Sequence, residues 1–323
     1  MAEPARTLTP APTAPASAVG TGFGERLTAH VAARQSQIVL GLDPDPMALW
    51  PEARMGVGGS PSAQVATAML THCRALIDAA GPACVAVKPQ LARFEVLGGE
   101  GWQALHAVVR HAHAAGLLVI ADAKRGDIDV TARAYAQALM GAVDTPLGTI
   151  RGLDADMVTV NPLMGSDALA PFIAVAREQQ AAVLVLVRTS NPGAADIEDL
   201  ALADGGTVWE RIAAMVSGLN QGSEGESGLG DVGAVVGATV PAHLARAREL
   251  MPHAVFLLPG IGAQGGRVED LAAAFVPGHA GGLISASRSI ANAHLAHGAG
   301  ENPPAAARAE AERLRELAWS LSQ

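Results

Sequence analysis

The stretch Leu117-Leu118-Val119-Ile120-Ala121-Asp122-Ala123-Lys124-Arg125-Gly126-Asp127-Ile128 runs from an apolar segment into a cluster of charges. Residues 117–121 read as a buried strand. Side chains alternate along a strand, so Asp122 and Lys124 point to the same side of its carboxyl end. Asp127 follows after the chain turns through Arg125-Gly126. Two carboxylates and an ammonium this close perturb one another, and such clusters concentrate at active sites. Surface ion pairs at strand ends give the same local pattern, so the rest of the chain has to decide.

Working outward, short apolar runs alternate with amphipathic stretches from about Ile38 to the C-terminus. The predicted strands are 38–42, 84–87, 117–121, 157–160, 182–187, 234–237, 255–258 and 282–285. The predicted helices are 63–79, 102–115, 130–140, 168–178, 208–219, 241–250 and 268–275, with 305–321 closing the chain. Eight strands, each followed by a helix, predict an α/β fold of the (β/α)8 (TIM) barrel type. The strands are continuously apolar, as expected where both faces are buried. An open doubly wound sheet is the competitor, but no GxGxxG follows the first strand. Residues 21–323 are expected to form one catalytic domain behind a Pro/Ala-rich disordered tail over 1–20. Within the long connection from Gly193 to Gly233, Gln221-Gly222-Ser223-Glu224-Gly225-Glu226-Ser227-Gly228 reads as a mobile, exposed segment.

Composition narrows the function classes. The chain has 323 residues, 50% hydrophobic and 16% charged, with a formal net charge of −9. That balance argues against a general nucleic-acid or anionic-membrane binder. No apolar stretch approaches membrane-spanning length, and 1–20 lack the apolar core of a secretory signal. Cys73 and Cys84 lack metal-site spacing and read as buried free thiols in a reducing cytoplasm. His106, His111 and His113 fall in one helix and read as a solvated face. The four tryptophans, Trp50, Trp102, Trp209 and Trp319, read as packing residues.

In such a barrel the active site forms at the carboxyl ends of the strands. Those ends carry Asp43, Lys88-Pro89-Gln90, Asp122 with Lys124, Asn161, Thr189-Ser190-Asn191, Thr239, Pro259 to Gln264, and Ser287-Arg288. Polar ends on apolar strands are what a site needs and a plain scaffold does not. The last two loops are where such barrels bind phosphate. Gly260 and Gly262 let the backbone approach an anion, and Arg288 offers a fork of donors. Strands two and three are neighbours, so Lys88 reaches Asp122. The row Lys88, Asp122, Lys124 alternates in charge and keeps lysine protonated. It suits proton donation or carbanion stabilisation rather than Schiff-base chemistry.

Lys88-Pro89-Gln90, Asp122-Ala123-Lys124-Arg125-Gly126-Asp127-Ile128 with Thr131, Thr189-Ser190-Asn191-Pro192 and Pro259-Gly260-Ile261-Gly262-Ala263-Gln264 occur in order. Together they resemble orotidine 5′-phosphate decarboxylase, in its longer bacterial branch (type 2), from about Phe23 to Asn292. The resemblance implies a homodimer that works without metal or cofactor and converts orotidine 5′-phosphate to uridine 5′-phosphate (UMP) in pyrimidine biosynthesis. It implies that Lys88, Asp122 and Lys124 act in one subunit and that Lys124 donates the proton. Asp127, Ile128 and Thr131 would serve the partner's site. Asp43 and Gln90 would contact the ribose, and Thr189 or Ser190 the pyrimidine edge. Pro259, Gln264, Ser287 and Arg288 would frame and hold the phosphate. The shorter branch has an Arg in the loop after strand seven, where this chain has Gly260-Ile261-Gly262. Two alternatives stand beside this reading: a metal-dependent sugar-phosphate decarboxylase or aldolase on the same barrel, and a non-catalytic barrel that binds nucleotide phosphate. Lys88 is not expected in the first, and an intact charged row is not expected in the second.

Overall fold

The computed structural model describes residues 22–56, 58–261, 265–296 and 302–323. The tail over 1–20 and the phosphate candidate Gln264 lie outside them. Helix α1 (Phe23–Arg34) comes first, then β1 (Ile38–Leu42), α2 (Pro61–Ala80), β2 (Ala86–Pro89), α3 (Leu91–Glu95), α4 (Gly99–Ala114) and β3 (Leu118–Arg125). Next are α5 (Asp129–Leu139), β4 (Ala142–Thr145), β5 (Gly148–Arg151), β6 (Met157–Val160), α6 (Ser166–Glu178), β7 (Ala182–Arg188) and α7 (Val208–Asn220). The chain ends with β8 (Val232–Val236), α8 (Pro241–Leu250), β9 (Phe256–Leu258), β10 (Gly282–Ala286), α9 (Arg288–Ala291), α10 (Ala293–Ala296) and α11 (Pro303–Leu321). Strands β1, β2, β3, β6, β7, β8, β9 and β10 pair in that order, all parallel, and β10 closes on β1. The expected (β/α)8 barrel is therefore the fold.

Two apolar layers follow from strand alternation. One face of each strand points outward to the helices; Leu40, Val87, Val119, Val158, Val183 and Val236 belong to that outer core. The other face fills the barrel with Val39, Leu118, Ile120, Met157, Leu184, Val235, Leu257 and Leu283. Continuing the inward parity upward reaches Lys88, Asp122, Thr159 and Ser285, all buried. The barrel is thus oily at its base and polar at its mouth, which places the chemistry before any ligand is considered.

Helix α1 closes the base. Phe23, Leu27 and Val31, four residues apart, pack on the inner core. Arg26 pairs with Asp156 at 2.5 Å, and Asp156 also meets His113 at 3.1 Å and accepts the Val119 N–H. His113 therefore belongs to a structural tie, and His111 pairs with Asp78; they do not share a site with His106. A Cβ at Gly24 would clash with the Leu229 carbonyl oxygen, far inside the contact distance of carbon and oxygen.

Besides the short helices α3, α9 and α10, several elements depart from the sequence reading. Helix α1 was not expected, although its i, i+4, i+8 apolar spacing is legible. The exposed hairpin β4–β5 turns at Thr145-Pro146-Leu147-Gly148, with Gly148 at φ 122°. The helix expected over 268–275 is a pair of 3-10 turns, Val268–Asp270 and Ala272–Phe275. The buried Arg248 guanidinium donates to the Ala274 carbonyl in the second turn and to the Gly281 carbonyl beyond it. The Gly/Ser/Glu segment over 221–228 is also not free in solvent: Ser227 N–H donates to Glu25 Oε1 at 2.7 Å, and Ser223 Oγ bonds to the Asn220 carbonyl.

Gly24→Ala is expected to cost about 1–3 kcal/mol through overpacking of α1 on Leu229. Gly218→Ala, on an exposed and open face of α7, is expected to be neutral or to stabilise by about 0.5–1 kcal/mol. Denaturant unfolding of both variants checks the pair; equal effects would contradict the packing account.

Candidate active site

Strand pairing brings the charged row together. Gly41 lies opposite Lys88 across β1 and β2, and Gln90 lies opposite Asp122 across β2 and β3. Lys88 Nζ donates to Asp122 Oδ2 at 2.7 Å, and Gln90 Nε2 donates to the same oxygen at 3.1 Å. Lys124 Nζ donates to Oδ1 at 2.5 Å, and Thr159 Oγ1 lies 3.1 Å from that oxygen. Four donors converge on one carboxylate, about the number its lone pairs can take.

Electrostatics follow from that count. Burial alone would raise the Asp122 pKa, but Lys88 and Lys124 outweigh it and hold the carboxyl at about 2. For Lys88, burial disfavours the charge, yet Asp122 and then Asp43 overcome this and move its pKa above the ordinary value. Both groups are therefore ionised at neutral pH. The Lys124 side chain is about half exposed, unlike its two partners, so it is the member of the row that can meet a ligand.

Two further strand ends complete the rim. Ser287 Oγ donates to Asp43 Oδ2, while Asp43 Oδ1 is buried without a partner. The close crossing needs Gly41, where a Cβ would come 2.6 Å from Ser287 Cβ. Asp43, Gln90, Arg93, Ser287, Arg288 and Asn292 line a cavity of about 400 Å³ at this edge. A larger groove of about 590 Å³ lies between α2 and α4, outside the barrel and away from the strand ends. Arg288 is exposed, with no ion pair among the described residues. On the opposite side, the Thr189 hydroxyl lies 2.9 Å from Glu198 Oε1 and 2.7 Å from Asn191 Oδ1. Ser190 instead sits over Gly237 at the end of β8, where an added Cβ would come 3.0 Å from Ser190 Cα. Pro259 follows β9, and its carbonyl accepts the Ala238 N–H.

Asp127, Ile128 and Thr131 are not in this cluster. Asp127 accepts the Ile128 N–H at 2.8 Å, and no ion pair joins it to Lys88 or Lys124 among the described residues. Ile128 is 55% exposed, and Thr131 faces solvent on α5. Two residues passed over in the sequence take part. Glu95 pairs with Arg125, which also lies 5.6 Å from the Tyr135 ring and steadies the turn after β3. Thr159 is the single polar residue in Met157-Val158-Thr159-Val160, on the inward parity; that break in an apolar run was its only signal.

Residues 36–302 match the family model described as Orotidine 5′-phosphate decarboxylase / HUMPS family. The chain belongs to this family. It is 41% identical over 275 residues to an orotidine 5′-phosphate decarboxylase from Rhodopirellula baltica, covering 84% of this chain and 89% of the relative. A Deinococcus radiodurans protein of the same name is 41% identical over 273 residues, covering 83% and 88%. Among solved structures, Leishmania donovani OMP decarboxylase superposes with a TM-score of 0.67 at 33% identity, covering 92% of this chain and 99% of that one. These relatives agree with the resemblance carried by the strand-end motifs. No described helix is long and apolar enough to cross a membrane.

The Asp122 pKa fixes the sign of one pH effect. A carboxyl near 2 when folded and near the ordinary 3.8 when unfolded contributes about 2 kcal/mol of stability above pH 3.8, lost as pH falls through 2. The stability gap between wild type and Asp122→Asn is therefore expected to narrow by about 2 kcal/mol from pH 5 to pH 2, measured by urea unfolding. A gap constant over that range would contradict the four-donor picture.

Proposed function

We propose that this barrel decarboxylates orotidine 5′-phosphate to UMP, a carboxy-lyase step of pyrimidine biosynthesis, with Lys124 as proton donor. The observation that carries this reading is the half-exposed Lys124 ammonium held on a buried, ionised Asp122. The family membership supplies the substrate, since the relatives are named for that activity.

The chemistry follows from charge. The bond between ring carbon and carboxylate breaks, CO2 leaves, and the electron pair stays on the ring carbon in the ring plane. The Lys124 ammonium stabilises that pair and then transfers its proton to the carbon. Asp122 stands beside the leaving carboxylate. Two like charges 4 Å apart repel by roughly 4 kcal/mol at an effective dielectric near 20, and loss of CO2 relieves this. The free Asp43 Oδ1 suits a ribose hydroxyl, with Gln90 and Lys88 next to it. Thr189 or Ser190, side by side at the end of β7, is our choice for the pyrimidine edge. Arg288 and Ser287, with Gln264 and the Pro259 loop, are our phosphate site. Binding energy from that remote phosphate can be used to close loops over the ring.

We assign Asp127, Ile128 and Thr131 to the partner's site in a homodimer. In support, no ion pair joins Asp127 to its own row among the described residues, and Ile128, Val130, Leu163 and Met164, which follow the carboxyl ends of β3 and β6, are exposed apolar side chains. No nucleic acid or membrane partner is proposed, and we place the enzyme in the cytoplasm. The metal-dependent alternative is disfavoured by the donor set: Asp122 has its lone pairs taken by two ammonium groups, an amide and a hydroxyl.

Lys124→Ala is expected to lose about 10²- to 10⁴-fold in turnover, the scale of a removed general acid, while UMP affinity stays within about tenfold of wild type, equivalent to about 1.4 kcal/mol. Loss of orotidine 5′-phosphate absorbance and UMP calorimetry check the two arms; near-normal turnover would refute the assignment. Asp127→Ala and Lys124→Ala chains, each inactive alone, are expected to regain partial activity when mixed. Proven heterodimers without recovery would refute the shared site. Activity is expected to survive EDTA, whereas loss restored by a divalent ion would favour the metal-dependent alternative.

A further inference from the structure

The row is held from a fourth side by a residue outside the charged motifs. β3 and β6 pair in register at Ile120 with Met157 and Ala121 with Val158, but the next pair is Arg125 with Val160. Four steps along β3 thus match two along β6, so β3 bulges outward over 122–124. Lys124 sits in this bulge at φ 47°, a left-handed conformation that a non-glycine residue adopts only when its surroundings enforce it. Its N–H has no strand carbonyl there; it donates to Thr159 Oγ1 at 3.0 Å instead. The same oxygen lies 3.1 Å from Asp122 Oδ1.

The direction of these bonds is fixed. The Lys124 N–H can only donate, so it occupies a lone pair of the hydroxyl. Ionised Asp122 can only accept, so the hydroxyl proton points to it. Thr159 is 1% exposed and β-branched, with its χ1 restricted by the strand. One buried hydroxyl thereby ties the Lys124 backbone to the carboxylate that the Lys124 side chain also grips.

We propose that Thr159 is a positioning residue for the decarboxylation, fixing Lys124 in its strained backbone conformation and Asp122 in one rotamer so that the ammonium is held where the ring carbon loses CO2. This rests on the decarboxylase reading given above. Thr159 touches no reacting atom and acts through Asp122 and Lys124.

The experiment compares Thr159→Val, which keeps shape and removes the hydroxyl, with Thr159→Ala and with Thr159→Ser, which keeps the hydroxyl. kcat is taken per site counted by UMP titration, so misfolded protein does not enter. Expected for Val and Ala is a fall in kcat of roughly 10- to 100-fold, the scale of one hydrogen bond to a charged group, with KM within about threefold. The acid limb of the kcat profile is expected to move to higher pH, because Asp122 loses a donor to its charged form. Ser is expected to restore most of kcat and the limb. Wild-type kcat in Val or Ala overturns the proposal, and so does an equal loss in Val, Ala and Ser, which would assign the effect to packing. Should Val fail to fold, Ala against Ser decides by the same criteria. Absence of turnover in wild type would overturn the decarboxylase reading itself, and the proposal with it.

Discussion

Everything at the mouth of this barrel depends on one buried carboxylate. Asp122 is surrounded by Lys88, Gln90, Lys124 and Thr159, contributed by β2, the residue just after it, β3 and β6. A charge buried without partners is expelled from a protein interior or neutralised. Here, with its donors in place, Asp122 stays ionised and serves as the anchor that fixes where a lysine ammonium can stand. Removing any one donor leaves a lone pair of a buried, ionised carboxylate unfilled, which is why such networks are stringent.

The architecture supports that anchor from below. Inward-facing side chains are apolar at the base, where α1 and the Arg26–Asp156 pair close the barrel. They turn polar only in the upper layers. The same alternation that buries Ile120 also delivers Asp122 and Lys124 to the mouth. The β3 bulge then departs from regular pairing where the chemistry is placed, in keeping with bulges as devices that re-aim side chains next to active sites.

Much of this was legible in the sequence. Alternating apolar runs and helical stretches gave the barrel, and reading only the strand ends gave Lys88, Asp122 and Lys124. What was not legible has physical reasons. Thr159 looks like an ordinary strand residue, because its role depends on a register shift in the neighbouring strand. The 3-10 turns over 268–275 come with a contact from outside the segment that local sequence does not show, the Arg248 guanidinium donating to the Ala274 carbonyl. Asp127 reads as part of the charged motif, yet within one chain no ion pair joins it to Lys88 or Lys124 among the described residues, because the chain has turned through Arg125-Gly126 before it. The 1–20 tail and Gln264 keep only their sequence-based expectations.

The central claim is that Lys124 carries the proton to the ring carbon. By microscopic reversibility, an enzyme that adds this proton also removes it from the product. UMP incubated with the protein in D2O and followed by proton NMR tests this directly. The account expects the ring hydrogen at the decarboxylated carbon to exchange for deuterium with wild type and not with Lys124→Ala, at matched occupancy of UMP. Equal exchange with both proteins would contradict it.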